Sequence, residues 1–208
     1  MALPAGLADG PAGFEQHRAL PVHEVPGARA TVFVGALDAA RSPATVHTPL
    51  LGADVVVDAG ARVVLPLREA FEHAVLVLEG SVRVGGVGGV GGVGGGLDPG
   101  AELLHLAPGR AGLPLASADG ARLLLLGGEP FGEDLVMWWN FVGRSHEDVV
   151  RARDDWEAQR QTRFGAVPGH GAERIPAPPL PDVRLTPRRR RAPAAPPPSA
   201  LPEAPAMS

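Results

Sequence analysis

No cysteine occurs in the 208 residues, which excludes disulfides, thiolate metal sites and cysteine nucleophiles. Long apolar runs are missing too: no stretch reaches the ~20 apolar residues of a membrane helix. The opening MALPAGLADGPAGFEQHR lacks a cationic start followed by an apolar segment. Neither a signal peptide nor a membrane span is therefore expected, and the default compartment is the cytoplasm. Excess charge of one sign is small. The formal net charge of -4 is too mild to imply a strongly anionic or cationic partner. Aromatics make up 4% of the chain, so the adjacent Trp138 and Trp139 stand out.

What the chain has in excess is glycine, 28 residues, and proline, 23 residues. They gather in an internal tract and in the tail, leaving an ordinary globular middle. Residues 1–20 read as a disordered lead-in. Strands are expected over Arg29–Leu37, Ala44–Leu51 (with Pro49 at an edge or strand end) and Asp54–Asp58. In the stretch Gly60–Gly80, the run His73–Glu79 followed by Gly80 and Ser81–Val84 predicts a β-hairpin about a glycine turn. The Gly-Gly-Val triplets over 85–96 are too short for a solenoid repeat and lead into no phosphate-binding helix. They read as an expanded, flexible hairpin loop. Further strands are expected over Glu102–Leu106, Leu113–Ser117, Ala121–Gly127 and Leu135–Val142, with the leucines at 123–126 buried on both faces. Strands at this spacing argue for a sandwich or barrel.

One helix is expected, from about 145 to 163. Ser145 is a good N-cap, Asp148 completes a capping box, and Val149, Ala152 and Trp156 share a face. Trp156 is expected to fix that helix against the sheet. Ile175–Pro181 reads as extended chain lying along the domain, and 187–208, with Arg188–Arg191, as a disordered Arg/Pro-rich tail.

The spacing from Gly60 to Gly80 resembles the first signature of the cupin superfamily, Gly-x5-His-x-His-x4-Glu-x6-Gly. Its two histidine positions hold Pro66 and Arg68, and its glutamate position holds His73. Gly127–Glu133, Val136–Val142 (VMWWNFV) and Ser145–Asp148, followed by Trp156 and Arg163-Phe164-Gly165, are similar to the C-terminal half of bacterial pirins, a resemblance that covers residues 14–186. It implies an all-β, jelly-roll cupin sandwich over 21–186, one C-terminal helix, and the disordered tail. For full-length family members it implies iron held by three His and one Glu of an N-terminal cupin. It also implies quercetin 2,3-dioxygenase-type activity in some members and a transcription-cofactor role in others. On that resemblance the N-terminal, metal-binding cupin is expected to have no counterpart within these 208 residues, and no residue matches a family metal ligand.

The expectation is therefore a single-cupin binding or interaction module with no metal or catalytic residue of its own. The alternatives are the non-metal half of a dioxygenase-type pirin that needs a metal-bearing cupin partner, and a transcription-associated regulator. The weak ligand-binding candidates are His73, His105, Trp138 and Trp139. A half-buried His73 bonded to the backbone is weighed against one at the barrel mouth binding an acidic or phenolic ligand, and the first reading is preferred. The same holds for His105. For the tryptophans, burial under the helix or tail is preferred over a binding platform. Glu72 reads as a solvated loop charge and His47 as an edge residue. An apolar barrel face is expected to support a homodimer or a second cupin chain. A small-molecule ligand is possible, and nucleic acid is an improbable partner for four arginines in the tail.

Overall fold

The computed structural model describes residues 2–85, 96–97, 103–165, 169 and 173–187. The described chain falls into two compact units, Met1–Glu133 with Gln159–Glu173, and Asp134–Ala158 with Arg174–Ser208. The domain expected over 21–186 thus contributes to both. Most of the expected glycine loop and the tail from residue 188 lie outside the described residues.

The first unit is a β-sandwich. In chain order its strands are β1 (Val22–Val25), β2 (Ala28–Leu37), β3 (Ala40–Arg41), β4 (Leu50–Val57), β5 (Arg62–Pro66), β6 (Glu72–Gly80), β7 (Val82–Val84), β8 (Gly96–Leu97), β9 (Leu103–Leu106), β10 (Gly112–Ala116) and β11 (Ala121–Gly128). Among the described residues, one sheet runs β1-β2-β4-β11-β6-β9, with β3 paired to β2, and the facing sheet runs β5-β10-β7-β8. All pairings are antiparallel.

Period-two alternation builds the core, because successive side chains of a strand point to opposite faces. Ala53, Val55 and Val57 of β4, Leu123 and Leu125 of β11, Val75 and Val77 of β6, Val63 and Leu65 of β5, and Leu113 and Leu115 of β10 are all buried. The leucines at 123–126 follow the same alternation rather than being buried on both faces: Leu123 and Leu125 point inward and Leu126 is exposed. The opposite face of β11 is turned outward, where the Arg122 guanidinium forks onto Asp54 at 2.6–3.1 Å.

Two expectations about these strands need correction, and one strand was not expected. β6 and β7 are not a hairpin, because they belong to different sheets. Gly80 is the corner between them, at φ 68°, where a Cβ would lie 2.2 Å from the Gly120 carbonyl oxygen; neither the angle nor the space suits another residue. Residues 44–49 form bends and irregular chain, and β4 starts at Leu50 and absorbs the strand expected at Asp54. β1 went unforeseen, although Pro26-Gly27 marks its turn into β2. β7 and β8, which flank the undescribed residues 86–95, pair antiparallel with Val82 opposite Leu97. The lead-in carries local order: a 3-10 turn spans Ala5–Leu7, and the Thr45 amide donates to Glu15 Oε2 at 3.0 Å.

The second unit holds β12 (Val136–Trp138), β13 (Phe141–Gly143) and α1 (His146–Glu157). The single strand expected over Leu135–Val142 is instead a hairpin, turning at Trp139 with φ 50°. The capping box forms as expected: Ser145 Oγ accepts from the Asp148 amide at 3.1 Å, and Asp148 Oδ2 accepts from the Ser145 amide at 3.0 Å. The helix stops at Glu157, short of 163, and a separate turn, α2 (Gln161–Phe164), belongs to the first unit.

Residues 174–178 run along α1, as the extended reading supposed. Trp156 Nε1 donates to the Ile175 carbonyl at 2.9 Å, Arg153 Nε donates to the Pro178 carbonyl at 2.9 Å, and Glu157 accepts from Arg174 and the Ala177 amide, each at 2.8 Å. Those bonds hold the Glu157 carboxyl at about 2, well below its usual range.

Candidate functional site

His73 is the first inward position of β6, ahead of Val75 and Val77 in the same row. The row that builds the core therefore delivers an imidazole to the end of the barrel. His73 is 2% exposed. Cross-strand, it sits opposite Gly127 of β11 and Leu106 of β9. A Cβ on Gly127 would lie 2.7 Å from His73 Cδ2, so the bare glycine makes the room the ring occupies.

Both ring nitrogens of His73 lack a hydrogen-bond partner among the described residues. The expected backbone hydrogen bond and half-burial are thus replaced by full burial without one. The other two buried polar side chains among the described residues are satisfied. Ser42 Oγ donates to the Phe33 carbonyl at 2.9 Å, and Ser117 Oγ donates to the Ser81 carbonyl at 2.7 Å. Leaving a buried polar atom unpaired costs roughly 1–3 kcal/mol. Burial also pushes the imidazole pKa down, because a charged ring would lose its hydration. The ring is therefore neutral at pH 7, with one donor and one acceptor on offer.

His73 lines a cavity of about 300 Å³. Its wall is built from the end of β2 (Ala36, Leu37, Asp38), Arg41 of β3, Leu51 of β4, Pro66 of β5, the turn Leu67-Arg68 and Phe71. That turn is closed by the Phe71 amide donating to the Arg68 carbonyl at 2.9 Å. The Arg68 guanidinium stands 5.3 Å from the Phe71 ring centroid, and the Phe71 and His73 rings are 6.0 Å apart with a 38° tilt. Three signature positions, Pro66, Arg68 and His73, thus converge on one cavity.

The donor set there does not fit an iron ion. It offers one imidazole, two guanidiniums that repel cations, and the Asp38 carboxylate, whose Oδ2 is 3.9 Å from His23 Nδ1. No group of three or more His, Asp or Glu suited to a metal occurs among the described residues.

The other candidates lie elsewhere. His105 is exposed on β9, outside this cavity, with Nε2 3.2 Å from Glu72 Oε2. Glu72 is accordingly a half-buried strand residue rather than a loop charge. Trp138 and Trp139 belong to the second unit. Trp138 stacks on Phe141 at 6.4 Å, and Trp139 meets Phe141 edge-on at 5.2 Å and Trp156 at 6.1 Å. Both are half-buried, and Trp139 packs against the helix. Trp156 is likewise half-buried, held to this hairpin and to Ile175. His47 is exposed and borders a neighbouring cavity that shares Ala36, Arg41 and Arg68 with the first.

Reading the sequence overlooked Arg41 and Phe71. Arg41 has no local signal, since a two-residue strand folding back on β2 brings it to the mouth. Arg68 and His73 were legible, because they fall on positions of the signature frame.

Comparison with known proteins gives a consistent picture. Residues 52–164 match the family described as the pirin C-terminal cupin domain. A Pseudomonas aeruginosa protein provisionally named quercetin 2,3-dioxygenase is 39% identical over 87% of this chain and 54% of its own length. A pirin-like protein of Caulobacter vibrioides is 29% identical over 77% of the chain and 52% of its own length. The crystal structure of a quercetin 2,3-dioxygenase from Acinetobacter baumannii superposes with a TM-score of 0.74 at 35% identity, covering 89% of this chain and 59% of that one. The chain spans about half the length of the curated relatives it matches. No helix among the described residues is long and apolar enough to cross a membrane.

Proposed function

The chain belongs to the pirin family of cupins, and from that premise we propose that it is a binding module whose barrel mouth, around His73, takes up a small organic molecule. The single observation behind this reading is a fully buried imidazole with two unpartnered nitrogens in the wall of a cavity. Buried polar groups are almost always paired. A ligand that meets one nitrogen as acceptor and the other as donor would offset the cost of burying them bare. The relatives named for quercetin dioxygenation make phenols a reasonable first class to try. With a guanidinium at a ligand position of the signature, no oxygenation step is assigned to this cavity.

A ligand-detected NMR screen of single-ring phenols, acids and amides against the full chain tests the reading. Binders that are lost in His73→Phe, which fills the cavity, are expected. Failure of every compound to bind at millimolar concentration would sink it.

A second reading has its own support. The outward face of the larger sheet carries Phe33, Leu126 and Leu103, all exposed. They lie on β2, β11 and β9, alternate strands of that sheet, with Gly52 of β4 opposite Leu126 and Leu76 of β6 opposite Leu103. Such a face suits association with a second copy or with a metal-bearing cupin chain. In this reading the protein is the non-metal half of a quercetin 2,3-dioxygenase-type assembly. Sedimentation at rising concentration, and quercetin consumption with and without a metal-bearing family member, test it. A monomer at all concentrations, with no effect on the partner's rate, would remove it.

A further inference from the structure

We propose that the barrel mouth is an anion clamp, with Arg41 and Arg68 gripping the carboxylate of a small planar organic acid whose body lies against Phe71 and His73. This deepens the binding reading above and rests on it. The guanidiniums come from different elements, β3 and the β5–β6 turn, and meet at this cavity and at the one beside it. Neither makes an ion pair among the described residues, whereas Arg122, Arg151, Arg174 and Arg184 are all paired to carboxylates. Asp38 is the one acid in the wall, and it faces His23. Two cations against one anion leave the mouth positive at neutral pH.

Shape narrows the ligand further. A guanidinium fork matches the two oxygens of a carboxylate. The remaining wall is apolar or aromatic, from Leu37, Leu51, Pro66 and Phe71. A bare inorganic anion would leave that surface unused. The volume of about 300 Å³ lies at the small end of ligand pockets, roughly 300–1,000 Å³, which suits a one-ring acid better than a polycyclic one. Arg68 is already held over Phe71, so the clamp is partly organised before a ligand arrives. His73 supplies a hydrogen bond to a second polar group on the ring, and this adds direction without adding charge.

The test is calorimetry with 4-hydroxybenzoate and its uncharged analogue 4-hydroxybenzamide, on the full chain at two salt concentrations. The acid should bind at one site, at least tenfold more tightly than the amide, and should weaken as salt rises. Arg41→Met with Arg68→Met should cut acid affinity at least tenfold and abolish the acid's advantage over the amide. Equal binding of acid and amide, both lost in His73→Phe, would overturn the clamp and leave the binding reading standing. Acid binding indifferent to the double arginine change would overturn it too, as would no binding of either probe by the wild-type chain, which would count against both. The acid-against-amide comparison needs no variant, so a misfolded mutant cannot shield the proposal.

Discussion

The barrel and the hairpin-helix unit hold themselves together in opposite ways. The barrel relies on a continuous apolar interior contributed by both sheets, and it leaves an imidazole at one end of that interior unpaired. The smaller unit has few buried side chains. Val136, Phe141, Val149, Ala152 and Ala177 are its buried apolar residues among those described. It compensates with directed bonds: a capping box, the Glu157–Arg174 pair and the tryptophan clasp. The contrast indicates where to look for function. A unit with ample apolar burial can carry an unsatisfied polar group, since net stability is a small difference between large terms. A unit that depends on each polar bond cannot leave one unmade.

Substitutions can break or sharpen this contrast. The largest effect should come from Leu125→Ala. Leu125 is fully buried and is paired on one side with Ala53 and on the other with Val75. Its truncation should cost about 3 kcal/mol, read by denaturant unfolding. A cost comparable to a surface change would mean the interior is not what holds the barrel.

Gly127→Ala comes next. Its methyl would meet His73 at 2.7 Å, and overpacking of this kind costs about 2 kcal/mol. Ligand binding at the mouth should fall with it. Wild-type stability and binding together would show that the ring is not held where Gly127 leaves room.

In the smaller unit, Trp156→Ala should cost about 1.5 kcal/mol, less than the roughly 3–5 of a fully buried tryptophan, because the indole is only half-buried; the loss includes its hydrogen bond to the Ile175 carbonyl. Hydrogen exchange should show faster opening of α1 and of residues 174–178 with β11 unchanged. Equal acceleration in β11 would show that the two units do not open separately.

How much of this was legible in the sequence depends on how far the deciding interaction lies along the chain. The helix start was readable because Ser145 and Asp148 sit three residues apart. Its end was not: the helix stops at Glu157, whose carboxylate is engaged by Arg174 and Ala177, 17 and 20 residues on. Alternation over His73–Glu79 placed the strand, but whether Gly80 turns a hairpin or a sandwich corner depends on pairing with β11 and β10. The cupin frame was readable from Gly60 and Gly80, which brought Arg68 and His73 to attention. Arg41 could not be found that way, because nothing beside it in sequence says that β3 folds over the mouth. The tryptophans misled for a similar reason. The left-handed backbone at Trp139 breaks the strand that their neighbours suggest.

The account stands or falls on His73 being buried, neutral and unpaired. The unfolded chain takes up a proton at an ordinary imidazole pKa of about 6.5, whereas the folded chain does so only at lower pH, because burial depresses its value. Below about 6.5 the unfolded state therefore binds more protons, and stability falls as pH drops until the folded value is passed. Unfolding free energies of the wild type and His73→Leu, measured from pH 8 to pH 5, test this directly. The leucine variant is expected to be more stable by about 1 kcal/mol at pH 8, with the gap widening towards pH 5. A variant less stable than wild type at pH 8, or a gap that shrinks as pH falls, would contradict it.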